Sequence, residues 1–547
     1  MPGSDTAAFD YEAVRAGFEL EIPEDFNFAF DILSKRARDS DKTALIAVDR
    51  AGEKVEYLSY SDLDQASNRF ANVLLDLGAE KGDFAFVMIP RIPAWYHVLF
   101  GCMKAGVVAM PGTNLLTAKD IEYRVNRSDA KLVIVTAEHA EKVEAVRENC
   151  PTLEQLIIVG QERPGWTCLE TASAAAAAEI DRASLPATRA EDPMLIYFTS
   201  GTTSMPKMVG RDHSYGLAHS ITGRYWMDLV EDDIHWTLSD TGWAKAAWGM
   251  FFPQVIAGAT ILLYDGEGFD AEAHLALIER FRVTTFCAPP TIYRIFATMD
   301  LGGWDLSSLR HSVGAGEPLN PEAMRAWKAA TGLEVHDGYG QTETINLVAN
   351  FPGMEVRPGS MGKPVPGLEI EIVDDDGKVQ GDDTIGHIAV KLTEPWPPGL
   401  FHGYYRDQAA TESSFHDGWY FTGDTATRDR DGYIWFVGRD DDIITSAGYR
   451  ISPFEVESAL IEHEAVAESA VVGKPDALRG EIVKAYVTLA PGFEASDALT
   501  QAIQDFVKGL TAPYKYPREI EYRAALPKTI SGKIRRVDLR AEAGGEG

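Results

Sequence analysis

From Tyr60 onward the sequence switches between two hydrophobic periods, and that alternation limits the folds open to the chain. Tyr60 to Leu77 carries apolar residues at helical spacing, and Phe84 to Ile89 is a short apolar run of strand length. Lys131 to Thr136 and Gln155 to Val159 repeat the strand pattern. Side chains recur every two residues on one face of a strand and every 3.6 on a helix, so these segments predict successive strand and helix units. Such units favour a largely parallel sheet with helices on its faces, an α/β architecture. A further buried strand is expected between about Phe281 and Ala288, closed by Pro289 and Pro290, while the run Ala174 to Ala178 reads as a surface helix.

At 547 residues the chain exceeds what one hydrophobic core organises, so at least two domains are expected. Pro395, Pro397, Pro398 and Gly399 mark a loop. From Gly438 the pattern changes to a smaller α+β unit, with helices at Pro453 to Glu462 and Leu499 to Leu510 and strands at Ala467 to Val472 and Val483 to Ala490. The simplest division lies near Asp440 to Asp442. It gives a large N-terminal domain of mixed sheets and helices over 1–440 and a smaller α+β C-terminal domain over 441–547.

The formal net charge of -32 argues against nucleic acid and anionic membrane surfaces as partners, because both rely on clustered Lys and Arg. An anionic ligand must then meet a local basic island, and Lys515, Lys528, Arg535 and Arg536 offer one near the C-terminus. Cys102, Cys150, Cys168 and Cys287 are scattered without a CxxC pair, which signals neither a disulfide framework nor zinc. The first thirty residues show no secretory or transit pattern, and no apolar run reaches spanning length. A cytoplasmic protein without a membrane span is the expectation, with homo-oligomerisation left open.

The stretch Thr199 to Lys207, TSGTTSMPK, combines hydroxyls, Gly201 and a terminal ammonium after the strand-like Met194 to Phe198. A Walker loop requires Gly-Lys-Ser/Thr five residues after its first glycine, and here Pro206-Lys207-Met208 stands there. Two readings remain from the loop itself: a solvated turn, or a polyphosphate grip of another kind.

Five further motifs follow in order. They are GAGEPL at Gly314 to Leu319, DGYGQTET at Asp337 to Thr344, WYFTGD at Trp419 to Asp424, GRDDDIITSAGYRISPFEVE at Gly438 to Glu457, and PKTISGKIRR at Pro527 to Arg536. In these the chain closely resembles the adenylate-forming superfamily of acyl-CoA synthetases, luciferases and peptide-synthetase adenylation domains, from roughly Phe26 to Arg540. WTLSDTGW at Trp236 to Trp243, RGEIVKAYV at Arg479 to Val487 and TAPYKYPREIEY at Thr511 to Tyr522 bring it nearest to the medium-chain acyl-CoA synthetases. Ser204 departs from the family loop, which has glycine there. It either restricts loop opening or adds another hydroxyl.

The resemblance implies roles residue by residue. Thr199, Ser200, Gly201, Thr202, Thr203, Ser204, Met205, Pro206 and Lys207 would form the ATP phosphate loop, with Lys207 on the β- and γ-phosphates. Glu343 would ligate Mg²⁺, which commonly takes one or two carboxylates alongside phosphates and water. Gly316, Glu317 and Pro318 would wall the adenine opposite Tyr339, within the ATP-binding stretch Asp337, Gly338, Tyr339, Gly340, Gln341 and Thr342. Asp424 would accept both ribose hydroxyls, assisted by Arg439. Lys533 would bridge the acyl carboxylate and the α-phosphate, where charge redistributes during adenylation.

The same resemblance implies that the C-terminal domain is mobile, with a hinge at Asp441 and CoA contacts from Ala447, Gly448, Tyr449, Arg479, Lys508, Tyr516, Pro517 and Arg518. Trp243 and Gly314 would border the acyl pocket, to which no charged residue is clearly assigned. The reading is an AMP-forming acyl-CoA ligase that uses ATP, Mg²⁺, CoA and a carboxylic acid. A medium-chain or a compact aromatic or branched acid fits best. An adenylation enzyme loading a carrier protein and a catalytically silent nucleotide- or acyl-binding relative are the alternatives.

Overall fold

The computed structural model describes residues 10–39, 41–199, 205–316, 321–447, 449–529 and 533–544. Two large sheets dominate it. The first orders Thr167–Cys168, Gln155–Val159, Leu132–Thr136, Phe84–Met88, Val108–Pro111, Pro193–Phe198 and Met208–Asp212 side by side. All of its pairings are parallel except the last, where Pro193–Phe198 and Met208–Asp212 form an antiparallel pair. Every residue of Phe84–Met88 and Leu132–Thr136 is buried, as expected for central parallel strands covered on both faces.

The second sheet has nine strands. Its parallel centre runs from Thr43–Val48 through Thr260–Tyr264, Ile234–Thr237, Thr285–Ala288 and His311–Gly314 to Val335–Gly340, with antiparallel strands at both edges. Helices pack on these sheets with ordinary end signals. Tyr60–Asp76 starts at a Ser59/Asp62 capping box, and Pro93–Ala105 opens on a proline and closes at Gly106, whose φ of 76° suits only glycine comfortably.

A third sheet of five antiparallel strands includes Gly386–Lys391, Trp419–Arg428 and Ile434–Arg439. A fourth collects Ile444–Ser446, Tyr449–Ile451, Val466–Asp476, Gly480–Leu489 and Glu519–Tyr522. It shares a core of Ile444, Val456, Leu460, Val471, Ile503 and Val507 with the helices Pro453–Ile461 and Asp497–Leu510. The molecule is thus mixed α/β, with a large N-terminal domain and a smaller C-terminal one. Among the described residues no helix is long and apolar enough to cross a membrane.

Most expected elements appear within a residue or two of their predicted ends. The two small-domain strands are longer than expected, Val466–Asp476 running past Val472 and Gly480–Leu489 starting before Val483, and two further segments differ for identifiable reasons. Phe281 ends the helix Ala271–Phe281, because Arg282 turns left-handed at φ 50°, and the strand begins only at Thr285. The alanine run is helical only as far as Ala175. Beyond it Asn68, Arg69 and Asn72 donate side-chain hydrogen bonds to the carbonyls of Ala176, Ala177, Ala178 and Glu179, and these long-range bonds override alanine's helical preference.

Candidate functional site

Ligands of parallel α/β sheets gather at the carboxyl ends of the strands, and the candidate residues do the same. Thr199 follows Pro193–Phe198, Gly314 ends His311–Gly314, and Tyr339 and Gly340 end Val335–Gly340. Thr199 and Lys207 clasp each other across the hairpin. The Thr199 amide donates to the Lys207 carbonyl at 3.0 Å, and the Lys207 amide donates to Thr199 Oγ1 at 3.0 Å. Ser200, Gly201, Thr202, Thr203 and Ser204 lie outside the described residues. Met205 is exposed, and the Pro206 carbonyl accepts from the Tyr123 hydroxyl at 3.0 Å.

Tyr404 joins the two ends of the expected phosphate and metal site. Lys207 Nζ stands 4.6 Å from the centre of its ring, and its hydroxyl donates to Glu343 Oε1 at 2.9 Å. Burial, and then the Glu343 charge, push the Tyr404 phenol well above its ordinary range, so it stays a donor. The Tyr405 amide, donating to the Met208 carbonyl at 2.8 Å, sews this segment to the hairpin. Buried Arg211 completes the framework by donating to the carbonyls of Thr342, Thr344 and Gly399 while stacking over Tyr215. Among the described residues no three His, Cys, Asp or Glu side chains gather as a metal cage. Glu343 offers a single buried carboxylate, a donor that suits a magnesium ion drawing its other ligands from phosphate and water.

The nucleotide corner is more tightly bonded. Asp424 Oδ2 accepts from the Tyr339 hydroxyl and from Gln341 Nε2, both at 2.6 Å, and Tyr420 donates to Gln341 Oε1 at 3.0 Å. Arg439 is the cross-strand partner of Asp424, with Nε 3.8 Å from Oδ1. Burial raises the Asp424 carboxyl, and Arg439 and these hydrogen bonds oppose the shift. The ammonium of Lys533 adds to the positive field on Asp424, although Lys533 itself is exposed. Its backbone pairs with Thr529, whose side chain accepts from the Lys533 amide at 3.1 Å. Asp337 is buried beneath this corner, its Oδ1 accepting from the Gly338 amide at 3.0 Å.

Around the expected acyl end, Trp243 caps the helix Ala244–Gly249 and Gly314 pairs in register with Asp337. Gly242 must be glycine, since a Cβ there would lie 1.9 Å from the Thr113 nitrogen. Gly316 has φ 112°, also a glycine conformation; Glu317 and Pro318 lie outside the described residues. Lys245 is the charge that sequence reasoning missed here. Its Nζ is 3.4 Å from the Ala315 carbonyl, beside Gly314, and 5.7 Å from the Trp248 ring centre.

The three aspartates near the division are all ion-paired, Asp440 and Asp441 while still exposed and Asp442 largely covered. Asp440 meets Arg450 at 3.3 Å, Asp441 lies between Arg439 and Arg540 at 3.7 Å each, and Asp442 pairs with Arg540 and Arg536. The expected CoA residues occupy a different part of the small domain. The Ala447 amide donates to the Arg479 carbonyl, Tyr449 stacks on Tyr514 at 4.1 Å, and Lys508 and Arg518 both stand over the Tyr516 ring. Pro517 is buried beside them, and Gly448 lies outside the described residues. Among the described residues none of Arg479, Lys508, Tyr516 and Arg518 bonds to Glu343, Asp424 or Lys533. The basic island is largely neutralised, with Lys515 on Glu455, Lys528 on Glu468, Arg535 on Asp538 and Arg536 on Glu457.

This geometry meets a clear match among known proteins. The AMP-binding enzyme model covers residues 33–405, and the AMP-binding enzyme C-terminal domain covers 455–533. The chain belongs to the AMP-binding enzyme family. Among its family relatives, the mitochondrial acyl-coenzyme A synthetase ACSM3 of Mus musculus is 43% identical over 97% of this chain and 93% of its own length. The mitochondrial ACSM4 of Homo sapiens is 44% identical with the same coverages. Among solved structures, the anthranilate CoA ligase AuaEII in complex with anthranoyl-AMP has a TM-score of 0.88 at 33% identity, covering 95% of this chain and 98% of that one. A Brucella canis acyl-CoA synthetase is 35% identical with a TM-score of 0.75, covering 97% and 98%.

ATP-dependent activation of an acid and thioester formation with CoA are the chemistry that this membership supports. The expectation of a cytoplasmic protein does not stand, because these synthetase relatives are mitochondrial. It rested on leader composition, and a leader is separable from the folded body, so the fold carries no record of compartment.

Proposed function

We propose that this AMP-binding enzyme, which activates a carboxylic acid with ATP and passes the acyl group to CoA, takes a medium-chain or compact aromatic acid. The continuous line from Lys207 through Tyr404 to Glu343, set beside the Asp424 corner, carries the reading, because it spaces a phosphate cation, a metal carboxylate and a ribose acceptor around one nucleotide. Similarity to a benzoate CoA ligase from Burkholderia xenovorans LB400, 29% identical with a TM-score of 0.81 over 94% of this chain and 100% of that one, and to the anthranilate ligase supports an aromatic acid.

In the first step a carboxylate oxygen of the acid attacks the α-phosphorus and pyrophosphate leaves. The Thr199–Lys207 loop grips the β- and γ-phosphates, and Glu343 would hold Mg²⁺, which would neutralise charge there. Lys533 spans the acid and the α-phosphate and stabilises the charge that shifts between them. In the second step the CoA thiol attacks the acyl carbon and AMP leaves. We place the turning point of the small domain, over 441–547, at Asp441, where a few boundary residues absorb a backbone change between the two steps. Arg479, Lys508 and Arg518 then receive the anionic CoA.

The test is AMP release across a panel of aromatic and C4 to C12 acids, with and without CoA. The reading expects CoA-dependent release with at least one aromatic or medium-chain acid. Release independent of CoA, or none with any acid, defeats it. Asp441→Pro is expected to keep acid-dependent pyrophosphate exchange and lose thioester formation, and a variant competent in both steps removes the hinge.

A further inference from the structure

A cleft of about 320 Å³ opens beside the N-terminal end of the helix Tyr60–Asp76, lined by Phe30, Lys35, Arg38, Asp64 and Arg182. None of these residues belongs to the nucleotide, acyl or CoA sites. Its wall includes the π-helical turn Ala29–Leu33, a form that costs regular hydrogen bonding and is often found at functional sites.

The charges in this cleft are unequal in availability. Both oxygens of Asp31 are occupied, since Arg182 donates to Oδ1 at 2.6 Å and to Oδ2 at 3.0 Å and the Asn27 amide donates to Oδ2 at 2.7 Å. Asp64 is equally engaged. Its Oδ1 accepts from Lys104 at 2.6 Å and Ser34 at 2.5 Å, and Asn68 reaches Oδ2 at 3.5 Å. Lys104 is fully buried and also donates to Ser67 and Asn68, so this ion pair forms a fixed floor rather than a free charge. Two cations already stand against the Phe30 ring, Lys104 at 5.6 Å and Arg182 at 5.3 Å from its centre.

Lys35 and Arg38 are different. Both are exposed on the cleft wall, and among the described residues neither has a carboxylate partner. Two unmatched cations facing one polar hollow, in a chain of net charge -32, mark a place where an anion is attracted and nothing in the protein supplies it. The hollow is polar rather than apolar, and its acids are already neutralised. We propose that this cleft binds a compact phosphate-class anion, inorganic phosphate or pyrophosphate, through Lys35 and Arg38.

Calorimetric titration of the full chain with sodium pyrophosphate, and separately with sodium phosphate, tests this at matched ionic strength. The unmodified protein is expected to bind one more equivalent of at least one of these anions than the Lys35→Ala/Arg38→Ala variant, or to bind that equivalent at least tenfold more tightly. Raising sodium chloride to 0.5 M weakens it, because exposed charges are screened within a few ångströms at such ionic strength. Lys35→Glu/Arg38→Glu removes the equivalent altogether with the thermal midpoint unchanged, which separates lost binding from lost folding. Equal stoichiometry and affinity in the unmodified and alanine proteins overturn the proposal. So does stoichiometric displacement of the extra equivalent by AMP, which would make the cleft a nucleotide site.

Discussion

At the proposed nucleotide corner Asp424 is buried, with Tyr339 and Gln341 donating to one oxygen and Arg439 facing the other; at the proposed CoA face Arg479 and Tyr449 lie exposed and Lys508 pairs with the exposed Asp505. Buried polar groups that satisfy one another are costly to disturb and hold donors in fixed positions. Exposed ion pairs contribute about 0–1 kcal/mol and exchange partners freely. If the proposed assignments hold, the difference teaches that a ligand needed from the start meets a preformed seat, while the one that arrives second meets an adaptable surface.

Lys533→Ala is expected to have the largest effect, lowering acid-dependent pyrophosphate exchange by about 10²–10³-fold while sparing thioester formation from supplied acyl adenylate. Equal loss of both half-reactions would break the comparison, because it would place Lys533 on the CoA side as well. Asp424→Asn comes next. It removes the charge facing Arg439 and replaces one of the two acceptor oxygens with an NH2 donor, and should raise the KM for ATP by roughly 30–100-fold, the effect of losing a buried hydrogen bond to a charged group at about 2–3 kcal/mol.

Tyr404→Phe keeps the ring beside Lys207 and removes only the hydroxyl that donates to Glu343. A rise of roughly tenfold in the magnesium concentration needed for half-maximal exchange, with the KM for CoA unchanged, would identify Tyr404 as a positioning residue for Glu343. Arg479→Ala should raise the KM for CoA by only about three- to tenfold and leave pyrophosphate exchange untouched, as an exposed charge contact implies.

Acid acts on stability rather than activity and distinguishes the two domains. Burial lowers His97, His213 and His235 to about 4 and His311 to about 3, and all four lie in the large domain. They stay neutral when folded but take up protons near pH 6.5 when unfolded, so stability is full above that pH and falls as pH drops toward about 4. Across the four this amounts to about 3 kcal/mol between pH 7 and pH 6. Calorimetry resolving two transitions should show the large domain's midpoint falling by a few degrees while the other moves less, and parallel shifts would contradict this.

That Tyr339, Gln341, Asp424 and Arg439 belong together was legible in the sequence, because they sit in short strings that follow one another in a fixed order. Tyr404 and Arg211 were not. Tyr404 meets Glu343 across about sixty residues of chain, and only the fold brings its ring beside Lys207. A partial signal existed for Arg211. Strand alternation from Lys207 through Val209 puts it on the same face of the hairpin. The basic island misled for a related reason, since Glu455, Glu457 and Glu468 approach it from segments the sequence separates. The unwound alanine run shows the same limit, with three side chains of a distant helix outweighing local propensity.

The reciprocal bonds between Thr199 and Lys207 also make residues 200–206 a replaceable cassette. Both ends are pinned to neighbouring strands of one sheet, and loop-closure entropy grows only slowly with length, so the register beneath is insulated from what is spliced between them. Within that cassette Ser204→Ala would therefore report on the hydroxyl alone, and Ser204→Gly, set against it, on the added backbone freedom.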